Sequence, residues 1–238
     1  MTELDNPAWW ALAGPQRGLG MSTSRAARFD PAVSPFGAFA AEPDLSAWAD
    51  LAQLTGPGQT VALIGPSPDQ LRPPSGWSVE WEGSGVQMLG DRVVGEPLVR
   101  ADDDGSAADP VTLGAADVPD MLALVAEARP GPFLARTVEF GGYVGFRHGE
   151  RLIAMAGERL RPPGYVEVSA VATHPDHRRK GLAERLIRIV VSAATARGEV
   201  PFLHAAASNT NAIRLYESMG FTVGRTVWFR SMRVPHSE

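Results

Sequence analysis

With 238 residues, 44% of them apolar and 21% charged, the chain has the composition of an ordinary globular protein and the length for one large domain or two small ones, which excludes wholesale disorder. A formal net charge of -5 argues against a protein that coats nucleic acid or an anionic membrane, both of which need a dominant positive field. The lack of cysteine removes disulfides, thiolate nucleophiles and cysteine-held metals, and an acidic N-terminus with no apolar run near the ~18 residues of a membrane span leads to the expectation of a soluble, cytoplasmic protein.

The first 100 residues are rich in Pro, Gly and Trp, and their periodic segments are short. Residues 44–54 predict a helix, with Asp44 as its cap and Leu45, Trp48, Leu51 and Leu54 on one face. Residues 60–64 and 77–81 read as short strands between Pro and Gly punctuation. The run Asp-Asp-Asp-Gly-Ser at 102–106 repels itself and packs poorly, which predicts a linker. On that reading an N-terminal region, 1–105, precedes a second domain, 106–238; a surface loop inside one domain would look the same.

Beyond the run the pattern sharpens. Residues 111–113 suit a strand, and 117–129 a helix with Asp117 near its start and Pro130 at its stop, followed by a helical turn near Phe133. Residues 143–147 and 152–159 predict an antiparallel hairpin, and 164–173 a third strand in which alternation puts Glu167, Ser169, Val171 and Thr173 on one face. A helix over 180–197 carries an apolar stripe of Leu182, Leu186, Ile189, Val190 and Ala193. A strand at 200–206, a helix at 209–219 ending on Gly220, and strand-like stretches at 221–223 and 226–234 complete the chain. The fold class is therefore α/β (α+β): a sheet flanked by helices, preceded by a smaller N-terminal α/β region.

Between the third strand and the long helix lies His174-Pro175-Asp176-His177-Arg178-Arg179-Lys180-Gly181-Leu182-Ala183. A helix N-terminus leaves several N–H groups unpaired and carries partial positive charge, so it suits a pyrophosphate. Gly181 permits close approach, Ala183 keeps the first turn small, and Arg178, Arg179 and Lys180 add positive potential. Phosphate loops of the Gly-x-x-x-x-Gly-Lys-Ser/Thr and Gly-x-Gly-x-x-Gly types are absent, as is a Gly-x-Ser-x-Gly elbow.

The turn resembles the Arg/Gln-x-x-Gly-x-Gly/Ala signature of the GNAT acyltransferase superfamily, matched by Arg178, Gly181 and Ala183. A second block, Asn209 through Ala212 and Tyr216 to Gly220-Phe221, is similar without a gap to that family's Asn-x-x-Ala-x-x-x-Tyr-x-x-x-Gly-Phe helix. The resemblance covers about 125 residues, is closest to the glycine N-acyltransferase-like branch, and is silent on residues 1–100. It implies a GNAT fold with a mixed central sheet, and transfer of an acetyl group from acetyl-CoA to an amine by direct attack, without a metal. It implies that the backbone of Val171, Ala172 and Thr173 pairs with the pantetheine arm, that Arg178, Arg179, Lys180, Gly181, Leu182, Ala183 and Glu184 hold the pyrophosphate, and that Asn209 and Ala212 border the cofactor. Tyr216 would protonate the leaving thiolate, and Glu167, fourteen residues before Gly181, would be the base if it faces the cleft; the alternative is a glutamate paired with an arginine on a sheet face.

Acceptor readings span small-molecule amines, amino acids and protein N-termini, for a monomer or a homodimer. Two other readings stand beside the enzyme: an acyl-CoA-binding or regulatory module without catalysis, and a nucleic-acid-binding protein using the basic turn, which the net charge disfavours. His174, His177 and His204 carry no spacing that enforces a metal site, though His204, on the strand after the long helix, can reach the cleft. Residues 1–100 can be read as a core, a sheet-edge cover, a dimer contact or a degenerate second copy of the fold.

Overall fold

The computed structural model describes residues 2–96, 98 and 109–236; the linker expected at 102–106 lies outside them. In chain order come α1 (Pro7–Ala13), β1 (Gly20–Ser22), β2 (Ala26–Phe29), β3 (Gly37–Phe39), α2 (Leu45–Thr55), β4 (Thr60–Gly65), β5 (Ser78–Leu89) and β6 (Pro110–Thr112). Then follow α3 (Val118–Ala128), β7 (Val144–His148), β8 (Arg151–Glu158), β9 (Tyr165–Thr173), α4 (Leu182–Ala196), β10 (Val200–Ala206), α5 (Thr210–Met219) and β11 (Thr222–Arg233).

Helix boundaries follow local chemistry. The Asp44 carboxylate accepts from the Ala47 N–H at 2.8 Å to open α2, whose buried face is Ala47, Trp48 and Leu51; Leu45, expected on that face, is 76% exposed in the first turn. Arg129 closes α3 in the left-handed region at φ 51°, just before Pro130, and Gly220 closes α5 at φ 103°. In α4 the inward stripe is Leu186, Ile187, Ile189, Val190, Val191 and Ala194, while Ala193 lies exposed.

Eight strands form one mixed sheet in the order β4-β11-β5-β10-β9-β8-β7-β6; β1, β2 and β3 make a small antiparallel sheet of their own. Among the described residues, β9 and β10 are the one parallel pair of strands within the large sheet. Helices α4 and α5 cover one face, packing Leu186, Val190, Tyr216 and Met219 on Ala154, Ala156 and Val168. On the other face α1, α3 and the small sheet pack Ala8, Phe29, Phe36 and Met121 around Met155, Ala172 and Phe202. A third cluster beneath α2 joins Trp48 and Leu51 to Val61, Leu63 and Met232.

Strands from both sides of the expected division at 105/106 share this sheet. β5 is inserted between β10 and β11, pairing with β11 over its whole length, and β4 flanks β11 on the far side. Residues from before the acidic run thus supply two strands of the sheet that the later residues complete. The expected strand at 77–81 is the exposed start of β5, whose inner half continues through Gly83 and Gly85. The two terminal strand-like stretches are one strand, β11, kinked by a bulge at Gly224 where Val223 pairs with Met88 and Arg225 with Gln87.

Candidate active site

The site begins where two parallel strands part. β9 and β10 are in register at Tyr165/Val200, Val166/Pro201 and Glu167/Phe202, and their pairing ends there. β10 continues alongside β5 from Phe202 to Ala206, while β9 stays with β8 as far as Thr173. A bulge in β9 sharpens the departure: Ser169 pairs with Gly157 and Ala172 with Met155, so Ala170 and Val171 together oppose Ala156. Within the bulge Ala170 lies in the left-handed region, at φ 52°, which is uncommon for a residue with a Cβ.

The bulge also overturns a sequence expectation. Glu167, Ser169, Val171 and Thr173 do not share a face, because the extra residue reverses the alternation: Val171 joins Val168 in the core under α4, and Ala172 turns to the opposite core. The backbone edge of Val171, Ala172 and Thr173 toward β10 has no strand partner among the described residues. The Thr173 carbonyl accepts one long bond, from Arg178 Nε at 3.4 Å, and its hydroxyl is buried with no hydrogen-bond partner among the described residues.

From Thr173 the chain enters a short 3-10 helix, Pro175–His177, that His174 caps by accepting the Asp176 N–H on Nδ1 at 3.2 Å. Arg179 and Gly181 then adopt positive φ, 62° and 74°, and turn the chain into α4. The first α4 N–H to find a carbonyl is that of Arg185, on Gly181 O at 3.1 Å, so the N–H groups of Leu182, Ala183 and Glu184 remain available. A Cβ at Gly181 would meet nothing within 4 Å, which leaves the helix mouth open. Arg178, Arg179 and Lys180 are exposed beside it, and none pairs with a carboxylate among the described residues. Glu184 bonds Arg188 at 2.8 Å and Arg185 bonds Glu96 at 3.2 Å, so the mouth's free charge is basic.

Across the parting, Asn209 opens α5 by accepting the Ala212 N–H on its side-chain oxygen at 3.2 Å. Tyr216, about two turns on, is 9% exposed, with its ring edge-on to Phe221 at 5.9 Å. Its hydroxyl has no hydrogen-bond partner among the described residues, and burial pushes its pKa up to about 12.

Glu167 does not face an open cleft. Its side chain is fully buried, and Arg159 grips it through Nε on Oε2 at 2.8 Å and a terminal nitrogen on Oε1 at 2.5 Å. The Leu160 N–H adds a bond at 3.3 Å and His204 Nδ1 another at 2.7 Å. Burial alone would raise its pKa, but the Arg159 guanidinium, with His204 behind it, holds the carboxyl well below the usual carboxylate range. Of the two surroundings expected for Glu167, the structure has the arginine pair, and a carboxylate so held, with its lone pairs engaged, is a poor proton acceptor. Beyond His204 the row continues through Gln87 to the carbonyl of Leu4, and Asp5, next in the chain, pairs with Arg225.

Three similarities bear on this arrangement. The FR47-like protein family matches residues 143–229, which carry both strands of the parting, the basic turn and Tyr216. Over 82 residues the chain is 38% identical to N-alpha-acetyltransferase RimI of Mycobacterium tuberculosis H37Rv, a match spanning 33% of this chain and about half, 51%, of that relative. A solved GNAT-family structure from Novosphingobium aromaticivorans DSM 12444 is 42% identical, superposes with a TM-score of 0.83, and covers 100% of both chains. The chain belongs to the GNAT family of acetyltransferases. A GCN5-related N-acetyltransferase from Kribbella flavida, at 15% identity and a TM-score of 0.61 over 98% of this chain and 97% of that one, shares the fold.

In this GNAT-family chain the structure brings the Val171–Thr173 edge, the mouth of α4 and the start of α5 to one end of the sheet. What sequence reasoning missed is the N-terminal contribution: Leu4, Asp5 and Gln87 close the row beside His204, and nothing in their local sequence marks them. His174 and His177 do come together, with His148 added from β7, at ring separations of 5.7 and 5.6 Å, yet no group of three metal-ligating side chains forms among the described residues. No helix among them is long and apolar enough to cross a membrane.

Proposed function

We propose that this acetyltransferase uses acetyl-CoA to acetylate a primary amine by direct attack. The observation that carries the reading is the open mouth of α4, with three N–H groups that meet no carbonyl and three basic side chains that meet no carboxylate among the described residues, placed beside two parted strands. On this reading the amides at 179–184 and the cations of Arg178, Arg179 and Lys180 hold the diphosphate, and the free edge of Val171, Ala172 and Thr173 receives the pantetheine amides. The buried Thr173 hydroxyl gains the partner it lacks, and Asn209 and Ala212 border the cofactor from α5.

The bound thioester supplies an activated acyl carbon and a sulfur leaving group. Tyr216 keeps its proton throughout the neutral range, because burial has raised it to about 12. Since a thiol ionises near ~8.5, such a phenol serves best by hydrogen-bonding the sulfur as charge accumulates, rather than by ionising beforehand. No covalent enzyme intermediate is needed, which suits a chain without cysteine.

The acceptor classes are a small-molecule amine, an amino acid or a protein N-terminus. The likeness to a protein named N-alpha-acetyltransferase supports the last, and the resemblance to the glycine N-acyltransferase-like branch the first two. The reading places the enzyme in the cytoplasm, as monomer or homodimer, with neither nucleic acid nor membrane as partner.

Thermal shift with acetyl-CoA, followed by thiol release across a panel of amines, amino acids and peptides, tests it. Stabilisation plus turnover is the expected result. Stabilisation with no turnover across the panel would favour the acyl-CoA-binding module, and no stabilisation would remove the cofactor site.

A further inference from the structure

We propose that His204 is the proton acceptor for the incoming amine, with Glu167 as the positioning residue behind it. The inference rests on the acyl-transfer reading and assigns a role within the same site.

The first support is placement. Glu167 and Phe202 are the last paired residues of β9 and β10, so His204, two residues further along β10, stands where β9 has already left. Its backbone borders the parting, and its ring lies on the same face as Glu167, to which it bonds.

The second support is the tautomer, which the hydrogen-bond network determines from both ends. Gln87 Nε2 lies 2.9 Å from the carbonyl oxygen of Leu4, which can only accept, so that end of the side-chain amide is the nitrogen. The same nitrogen lies 3.2 Å from His204 Nε2 and can only donate to it. His204 Nε2 is therefore the unprotonated nitrogen, and Nδ1 carries the hydrogen toward Glu167 Oε1 at 2.7 Å. A carboxylate on one ring nitrogen and a lone pair on the other is the arrangement of an oriented general base. Phe202 and Phe229 stand edge-on to the imidazole at 5.6 and 5.7 Å and fix its plane.

The charged group that bonds the imidazole is Glu167. Arg159 lies beyond that carboxylate, Tyr143 donates to the Glu158 carbonyl, and Arg225 pairs with Asp5. Gln87 contributes an amide and no charge. Its bond to Nε2, longer than the Glu167 bond, is the one that an amine, or a water carrying its proton, replaces.

The step balances. An N–H bond of the ammonium breaks and leaves its electron pair on nitrogen, while an N–H bond forms at His204 Nε2. The neutral amine attacks the thioester, its second proton goes to the departing sulfur, and the imidazolium returns the first to solvent.

The experiment combines 15N-histidine spectroscopy of the full chain with pH–rate profiles of kcat/KM for wild type, His204→Gln and Glu167→Gln. Expected are an Nδ1-protonated His204 at pH 8, a rate of His204→Gln lower by about 10²-fold with the acid limb gone, and an acid limb moved to lower pH in Glu167→Gln. Retained thermal stabilisation of His204→Gln by acetyl-CoA shows that the cofactor site survives. An Nε2-protonated His204, or an acid limb unchanged in His204→Gln, overturns the proposal while leaving acyl transfer intact. Failure of wild type to turn over any amine with acetyl-CoA bound overturns the acyl-transfer reading and the role together.

Discussion

Arg159 and Glu167 form a two-point ion pair whose carboxylate is wholly removed from solvent. Breaking such a pair from one side leaves an uncompensated buried charge, which costs about 3–5 kcal/mol, whereas replacing both partners by apolar groups is much milder. Arg159→Met is therefore expected to lose stability in that range, and Arg159→Met with Glu167→Leu to recover most of it. Urea unfolding midpoints of the two variants decide the matter.

The same carboxylate fixes the sign of a pH effect. Its folded-state pKa is depressed, so its contribution is fully present above the unfolded value, about 4.3, and is lost progressively as pH falls below it toward the folded value. Wild type should lose stability through the acid range more steeply than Glu167→Gln. Parallel curves from pH 7 down to pH 3 would mean that the pair does not govern acid sensitivity.

Tyr216→Phe separates chemistry from packing. The ring is held by Phe221 and the α5 core, and the hydroxyl has no bond to lose among the described residues. Melting temperature should stay nearly unchanged while kcat falls by roughly 10²-fold. A comparable loss of stability would return Tyr216 to a packing role.

Gly181→Val tests the helix mouth. A β-branched residue at φ 74° is strained by about 1–2 kcal/mol, and its methyls would enter the open space at the start of α4. Affinity for CoA should fall by roughly tenfold or more, equivalent to about 1.4 kcal/mol, read as a smaller thermal shift at fixed ligand. An undiminished shift would place the diphosphate elsewhere.

The basic turn, α4 and α5 were legible because each is specified locally: Gly181 and Gly220 mark helix ends, and the apolar spacing of Leu186 and Val190 is helical. The parting of β9 from β10 was legible only through resemblance, since the bulge at Ala170 depends on a positive φ that an alanine does not announce. β5 was cut short because Gly83 and Gly85 interrupt its alternation; their lack of side chains makes room for the rings of Trp81 and Phe229. The polar row escaped because its members come from distant positions, with Gln87 and His204 117 residues apart. For Glu167 the sequence leaves a cleft-facing base and an arginine pair both open, because nothing local marks Arg159, eight residues earlier, as its partner.

The placement of β5 between β10 and β11 bears on how the chain reaches its native state. On the ribosome, β5 emerges long before either neighbour, and must wait for more than a hundred residues before both of its edges can be covered. Closing so large a loop makes the central pairing slow and late, so the molecule should acquire its active geometry only after β11 has been synthesised. A nascent chain halted before Thr222 would thus expose one side of β5 to solvent and to other chains, which is where chaperone dependence should concentrate.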